Sequence, residues 1–164
     1  MDNVIIRAAS PEQYDEIGAL TVEVYVDGGF IPETSPYAAE LGDTANRAAS
    51  ADILVAELDG RIVGSVTVAR PGTIYARLAA PDEIEFRMLA VDKSVRGRGV
   101  GTTLVRHVLA LAAAEGFRGV VITTMDQMVD ARRIYERLGF VRVPERDSEV
   151  APGFVLPTLE YRFS

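Results

Sequence analysis

Apolar positions fall into short alternating runs and longer helical stripes, separated by glycine and proline. Val4–Ala8 reads as a first strand. Ser10-Pro11-Glu12-Gln13 is a helix start, with Ser10 as N-cap, Pro11 at N1 and Gln13 completing a capping box. The pattern predicts a helix to about Val26, stopped by Gly28-Gly29. Ser35-Pro36 repeats the start signal, which predicts a second helix over Tyr37 to about Ala49. Ile53–Leu58 and Arg61–Val68 flank Asp59-Gly60, a hairpin signal because a type I′ turn needs φ > 0 at both central positions. Pro71-Gly72 ends that hairpin, and Ile84–Val91 is a third strand. Val100, Leu104, Val108 and Leu111 recur at helical spacing up to Gly116. Gly119–Thr124 is a buried strand. A helix from Met128 to Leu138 shows Ala131, Ile134, Tyr135 and Leu138 on one face and ends at Gly139. Phe140–Val143 starts a strand and Phe154–Arg162 is the last. Asp27–Ser35, Thr73–Asp82 and Pro144–Gly153 are the least regular stretches.

This order, with mixed pairings and helices on both faces of a sheet, predicts an α/β (mixed α+β) three-layer domain. The 164 residues suit a single domain over 1–164. Such a domain buries roughly 70% of its unfolded surface, so a core forms without crosslinks. The net charge of −7 disfavours nucleic acid and anionic membrane as partners. There is no cysteine, which removes thiolate chemistry and fits a reducing cytoplasm, the expected location. The single histidine, His107, reads as a surface residue, and no metal site is expected. No basic region precedes an apolar stretch at the N-terminus and no apolar run approaches the ~18 residues of a membrane span, so neither a signal peptide nor a span is expected.

Glu85–Gly101 carries the most information: a strand, a turn, a Gly-rich loop and a helix start. A helix N-terminus offers unpaired N–H groups and about half a positive charge, and glycines let a ligand approach that backbone. Arg96 and Arg98 add charge, so the segment is an anion site suited to a pyrophosphate. A P-loop would need a lysine where the chain has Gly101-Thr102-Thr103. A Rossmann turn would need G-x-G-x-x-G directly after the strand, whereas Gly97, Gly99 and Gly101 are spaced G-x-G-x-G after a turn.

Arg96-x-x-Gly99-x-Gly101 after Leu89-Ala90-Val91 resembles the acetyl-CoA pyrophosphate loop of the GNAT superfamily of N-acetyltransferases. Ala131–Phe140, a helix ending Tyr-x-x-x-Gly-Phe, resembles that family's second signature. The likeness is specific over Glu85–Val143, about a third of the chain, and upstream only element order agrees. It implies a mostly antiparallel central sheet and direct transfer of acetyl from acetyl-CoA to a primary amine of a small molecule or peptide. A non-catalytic acyl-CoA-binding or interaction domain is the alternative, and a homodimer stays open.

The resemblance also implies roles. Arg96, Gly97, Arg98, Gly99, Val100, Gly101 and Thr102 would hold the pyrophosphate, and the backbone of Met88, Leu89, Ala90 and Val91 would pair with pantetheine. An N–H near Leu89 would meet the oxyanion, Glu85 would be the base with Glu83 as the spare, and Tyr135 would donate to the leaving thiolate. Where the family often has asparagine stands Met128, so Asp126 or Gln127 is left to make that contact. The acceptor would lie between the Asp27–Ser35 loop, the second helix and Pro144–Gly153, with Glu33, Glu40, Glu83 and Asp147 as attractors of a cationic amine.

Overall fold

The computed structural model describes residues 3–151 and 154–164. Its strands are β1 (Val4–Ala8), β2 (Asp52–Leu58), β3 (Arg61–Ala69), β4 (Glu83–Val91), β5 (Gly119–Thr123), β6 (Val141–Arg142), β7 (Ser148–Ala151), β8 (Phe154–Leu156) and β9 (Thr158–Arg162). The α-helices are α1 (Tyr14–Val22), α2 (Pro36–Gly42), α3 (Thr44–Ala48), α4 (Val100–Ala114) and α5 (Val129–Leu138). Seven strands form one sheet in the order β1-β2-β3-β4-β5-β9-β6, antiparallel except for β4 with β5, and β7-β8 is a separate hairpin. The expected mixed, mostly antiparallel sheet is therefore present. β3 is buried at every position after Arg61, as a strand covered on both faces must be.

Two cores sandwich the sheet. On one face Leu54, Val66, Ile84 and Phe86 meet Val100, Leu104 and Val108 of α4 and Tyr135 of α5. On the other, Val55, Ile62, Met88 and Ala90 meet Ile17, Leu20 and Leu41 from α1 and α2. Every side chain named here is at least nine-tenths buried. At about 1.5–3 kcal/mol for each large one, these two clusters dominate the folding energy.

Three elements differ from the sequence reading. The first helix continues past Val22 as a π-helical turn, Glu23–Asp27, rather than as plain α-helix. The second helix breaks at Asp43, whose carboxylate accepts the Asn46 N–H and caps α3. The break lets α1 and α2 pass closely: a Cβ on Gly18 would sit 2.3 Å from the Gly42 carbonyl oxygen. The last strand is two, because Pro157 has no N–H for a ladder; its carbonyl instead accepts the Thr124 N–H at 3.0 Å. The irregular stretch Pro144–Gly153 contains β7, and its last two residues lie outside those described.

Two irregularities mark β4. It pairs with β5 only over Glu83–Glu85, after which the two strands part. Against β3 it carries an extra residue: Ser65 faces Ala90 but Thr67 faces Arg87. The bulge centres on Met88, a non-glycine residue at φ 58°. Side chains therefore change phase there. Met88 and Ala90 join the α1/α2 core, while Leu89 joins the α4 core.

Candidate active site

The parting of β4 and β5 opens a cleft of about 680 Å³. Its floor is Leu89 and Val91 of β4, one wall is the loop and first turn of α4 (Val95 to Thr102), and the other is α5. Val24 and Phe30 close the end nearest α1.

The Gly-rich end of the cleft is built locally. Asp92 accepts the N–H and hydroxyl of Ser94 at 2.9 and 2.7 Å, which turns the chain out of β4. Gly97 and Gly99 then adopt φ 80° and 82°, a left-handed backbone that side chains resist. In α4 the Thr103 N–H bonds the Gly99 carbonyl at 3.0 Å, so the earlier amides of Val100, Gly101 and Thr102 point out of the helix start. Gly101 also sets the width of the cleft: a Cβ there would meet Ile134 Cδ1 of α5 at 2.8 Å. Arg96, Arg133 and Arg137 line the cleft against one acid, Asp130. The lining is thus cationic on a chain of net charge −7.

Of the residues expected to hold a coenzyme, Leu89, Val91, Arg96, Gly97, Gly99, Val100, Gly101 and Thr102 come together on this lining. Met88 and Ala90 turn their side chains to the opposite face, which leaves their backbone as the only part at the β4 edge. Arg98 lies on the exposed loop and does not line the cleft. Between the two replacements for the family's asparagine, Gln127 is on the lining with Met128, and Asp126 is not. Val24, Val129, Ala131 and Ile134 were not anticipated as lining. Val24 enters because the π turn rotates it inward, and no local sequence signal marks that turn.

Tyr135 is 5% exposed and packs its ring edge-on against Phe86, with centroids 5.8 Å apart. Burial pushes its phenol well above the usual tyrosine range, so it stays protonated. A second phenol, missed by the sequence reading, approaches from the other side of β4. Tyr25, on the π turn, donates to the Leu89 carbonyl at 3.3 Å. Burial also raises the Tyr25 phenol, with Tyr37 and Tyr135 adding to the effect and Arg87 and Arg47 opposing it. Tyr25 thus reaches β4 from one face at Leu89 and Tyr135 packs on it from the other at Phe86, although Tyr135 is not among the cleft-lining residues.

Glu85 is 2% exposed and is not among the residues lining the cleft. Its Oε1 accepts the N–H groups of Leu78 and Ala79 at 2.7 and 3.1 Å. Oε2 accepts none among the described residues. Glu83 is fully committed: its oxygens take Arg146 at 2.9 and 3.0 Å, Arg162 at 3.2 Å and the Ala80 N–H at 2.9 Å. Burial alone would raise the Glu83 carboxyl, but the hydrogen bonds from Arg146 and Ala80 hold it below its ordinary value. Asp147 is likewise paired with Arg142. Neither Glu83 nor Asp147 stands open to attract a cationic amine. His107 is a half-buried residue of α4 away from the cleft. Among the described residues no group of three metal-ligating side chains gathers, and no helix is long and apolar enough to cross a membrane.

The model of the acetyltransferase (GNAT) family matches residues 19–140. Human N-acetylaspartate synthetase is 36% identical over 110 residues, 66% of this chain and 34% of that protein. The chain spans about a third of the length of the curated relatives it matches. Among solved structures, a GNAT-family acetyltransferase from Staphylococcus aureus Mu50 superposes with TM-score 0.78 at 16% identity, covering 98% of this chain and 99% of that one. A GNAT-family acetyltransferase from Brucella melitensis, in complex with acetyl-CoA, superposes with TM-score 0.66 at 22% identity, covering 100% and 90%.

Proposed function

Since this chain belongs to the GNAT acetyltransferase family, we propose that it moves an acetyl group from acetyl-CoA directly to a primary amine. One observation carries the reading: the cleft joins a glycine-lined, arginine-flanked helix N-terminus to an unpaired edge of β4. That combination fits a long anionic ligand whose other end is an amide-bearing arm. The amides of Val100, Gly101 and Thr102 and the guanidinium of Arg96 would receive the pyrophosphate, with Arg133 and Arg137 facing the remaining phosphate. The β4 edge at Leu89 and Val91 would pair with the pantetheine amides as an added strand does.

Acetyl-CoA supplies the thioester; the rest is done by this chain. The amine must shed a proton, which for a lysine-like group costs about 4–5 kcal/mol at pH 7. Glu85, through its uncommitted Oε2 and a water, is the proposed base. As the amine nitrogen bonds the carbonyl carbon, negative charge grows on the carbonyl oxygen. The Leu89 N–H, held by the Met88 bulge, would stabilise that charge, a contribution of about 2.7–4 kcal/mol for such donors. The carbon–sulfur bond then breaks and the thiolate leaves. Tyr135, kept protonated by burial, would donate a hydrogen bond to the thiolate, while Tyr25 fixes the Leu89 carbonyl. The relatives named N-acetylaspartate synthetase make amino acids the first acceptors to try. Calorimetry with CoA, followed by thiol release with an amine panel, tests the reading. Binding without turnover of any amine would leave only an acyl-CoA-binding domain, and no binding would end the proposal.

A further inference from the structure

On the α1/α2 face of β4, two positions before Leu89, stands Arg87. Its Nη2 donates a long hydrogen bond, 3.5 Å, to the Tyr37 hydroxyl on α2, and its guanidinium carbon lies 5.8 Å from the centre of the Tyr75 ring. Asn46 of α3 fixes that ring by donating to the Tyr75 hydroxyl at 3.1 Å. Arg87 Nη1 is buried and has no acceptor, and no carboxylate pairs with this guanidinium among the described residues. The nearest acid on its own face of the strand, Glu85, spends Oε1 on the loop backbone instead. A second arginine lies nearby: Arg47, 1% exposed, donates among the described residues to the carbonyls of Glu40 and Leu41 and the Thr44 hydroxyl, with the Glu40 and Asp43 carboxylates close enough to act on it. A buried guanidinium N–H without an acceptor is expensive, and an arginine fork is shaped for a carboxylate.

Resting on the acetyl-transfer reading, we infer that Arg87 recognises the acceptor: the amine substrate carries a carboxylate, and Arg87 receives it. The spacing fits. Two residues of strand separate Arg87 from Leu89, at most about 7 Å. That is the span from the amine of a small amino acid through its carboxylate to one hydrogen bond. The amine would then lie beside Glu85 Oε2 on the same face, and its nitrogen would point past the bulge at the thioester. Tyr37 and Tyr75 act as positioning residues that hold the fork. A cationic amine without a carboxylate would leave the Arg87 fork without its acceptor, so this side of the site disfavours polyamines.

Thiol release by the full chain is measured with free L-amino acids, aspartate included, with their carboxamides, and with dipeptides free or amidated at the C-terminus. Free acids are expected to exceed amides in kcat/KM by about tenfold to a hundredfold, the size of a charge-assisted pair. Dipeptides separate a free amino acid from a peptide end as the source of the carboxylate. Arg87→Met should bring the acid-to-amide ratio close to one, with CoA affinity by calorimetry within about twofold. Should Arg87→Met fail to fold, Arg87→Lys, which keeps the charge but not the fork, should lower the ratio severalfold. Amides or polyamines preferred by the wild type, or equal losses on acids and amides in the variant, would overturn the assignment. If CoA binds but no amine turns over, N-acetyl amino acids are titrated against their amides on the CoA complex, and equal heats overturn it as well. A wild type that gives no heat with CoA at all removes the acetyl-transfer reading itself, which is a distinguishable result.

Discussion

Arg146 is the hub of a half-buried ion network around the buried Glu83, and removing it should show how the start of β4 is held in place. It reaches Glu83 with both terminal nitrogens, Glu160 at 2.8 Å and the Leu78 carbonyl at 2.8 Å. Glu83 is 0% exposed, so Arg146→Met leaves a buried carboxylate with Arg162 and one backbone N–H. Breaking a buried pair from one side costs about 3–5 kcal/mol. Because Arg162 remains, about 2–4 kcal/mol is expected, or roughly 5–15 °C in Tm for a domain of this size. The sign with pH follows from the lowered Glu83 carboxyl. Its stabilisation is complete above the ordinary glutamate value, about 4.3, and fades as pH falls through the depressed native value. The gap between wild type and Arg146→Met should accordingly be widest near pH 7, be narrower at pH 3.5 and close only beneath the depressed native value. Glu83→Gln in the Arg146→Met background should recover part of the loss, since the stranded charge is gone. Urea and thermal melts at pH 7 and pH 3.5 measure all of this. A double variant less stable than Arg146→Met alone, or a gap unchanged at pH 3.5, would refute the reasoning.

Gly99→Ala meets nothing within 4 Å of its new methyl, so only the left-handed backbone at φ 82° opposes it, at about 1–2 kcal/mol. If the loop relaxes to escape, CoA affinity should fall about five- to thirtyfold by calorimetry. Glu85→Gln keeps an oxygen to accept from Leu78 and Ala79, so the fold should hold while kcat falls about a hundredfold or more in the thiol-release assay. Tyr135→Phe should lower kcat about ten- to a hundredfold with CoA affinity within twofold, read by stopped assay and calorimetry. Tyr25→Phe frees the Leu89 carbonyl and should lower kcat severalfold, and an unchanged rate would show that the contact only packs.

The Gly-rich end of the cleft was readable in the sequence because its physics is local. Glycines that must turn left, an aspartate that caps its own loop and a helix start lie within ten consecutive residues, and neighbours in sequence are neighbours in space. The cluster around Arg87 was not, because it is assembled from distant segments. Tyr25, Tyr37, Tyr75 and Arg87 come from four parts of the chain and meet only after folding. The Met88 bulge has no sequence mark, since a non-glycine residue there is held at φ 58° by the sheet and not by its own preference. Glu83 and Glu85 invited a chemical reading as acids on a strand. What the sequence concealed was how much of each is spent on the backbone of residues 78–80 and on Arg146. The helix break at Gly42-Asp43 obeys the same rule, because a glycine inside a helical pattern reveals its purpose only when Gly18 crosses it.

The divergence of β4 from β5 leaves an interior seam of peptide groups that the folded chain does not zip shut. An arm bearing two amides would complete the seam, so a bound coenzyme doubles as a missing piece of architecture. Stability then becomes linked to supply: saturation at a hundred times the dissociation constant adds about 2.7 kcal/mol. The β4 amides beyond Glu85 that point away from β3 should exchange slowly only when that arm is present. Thermal melts with and without CoA would read that linkage directly.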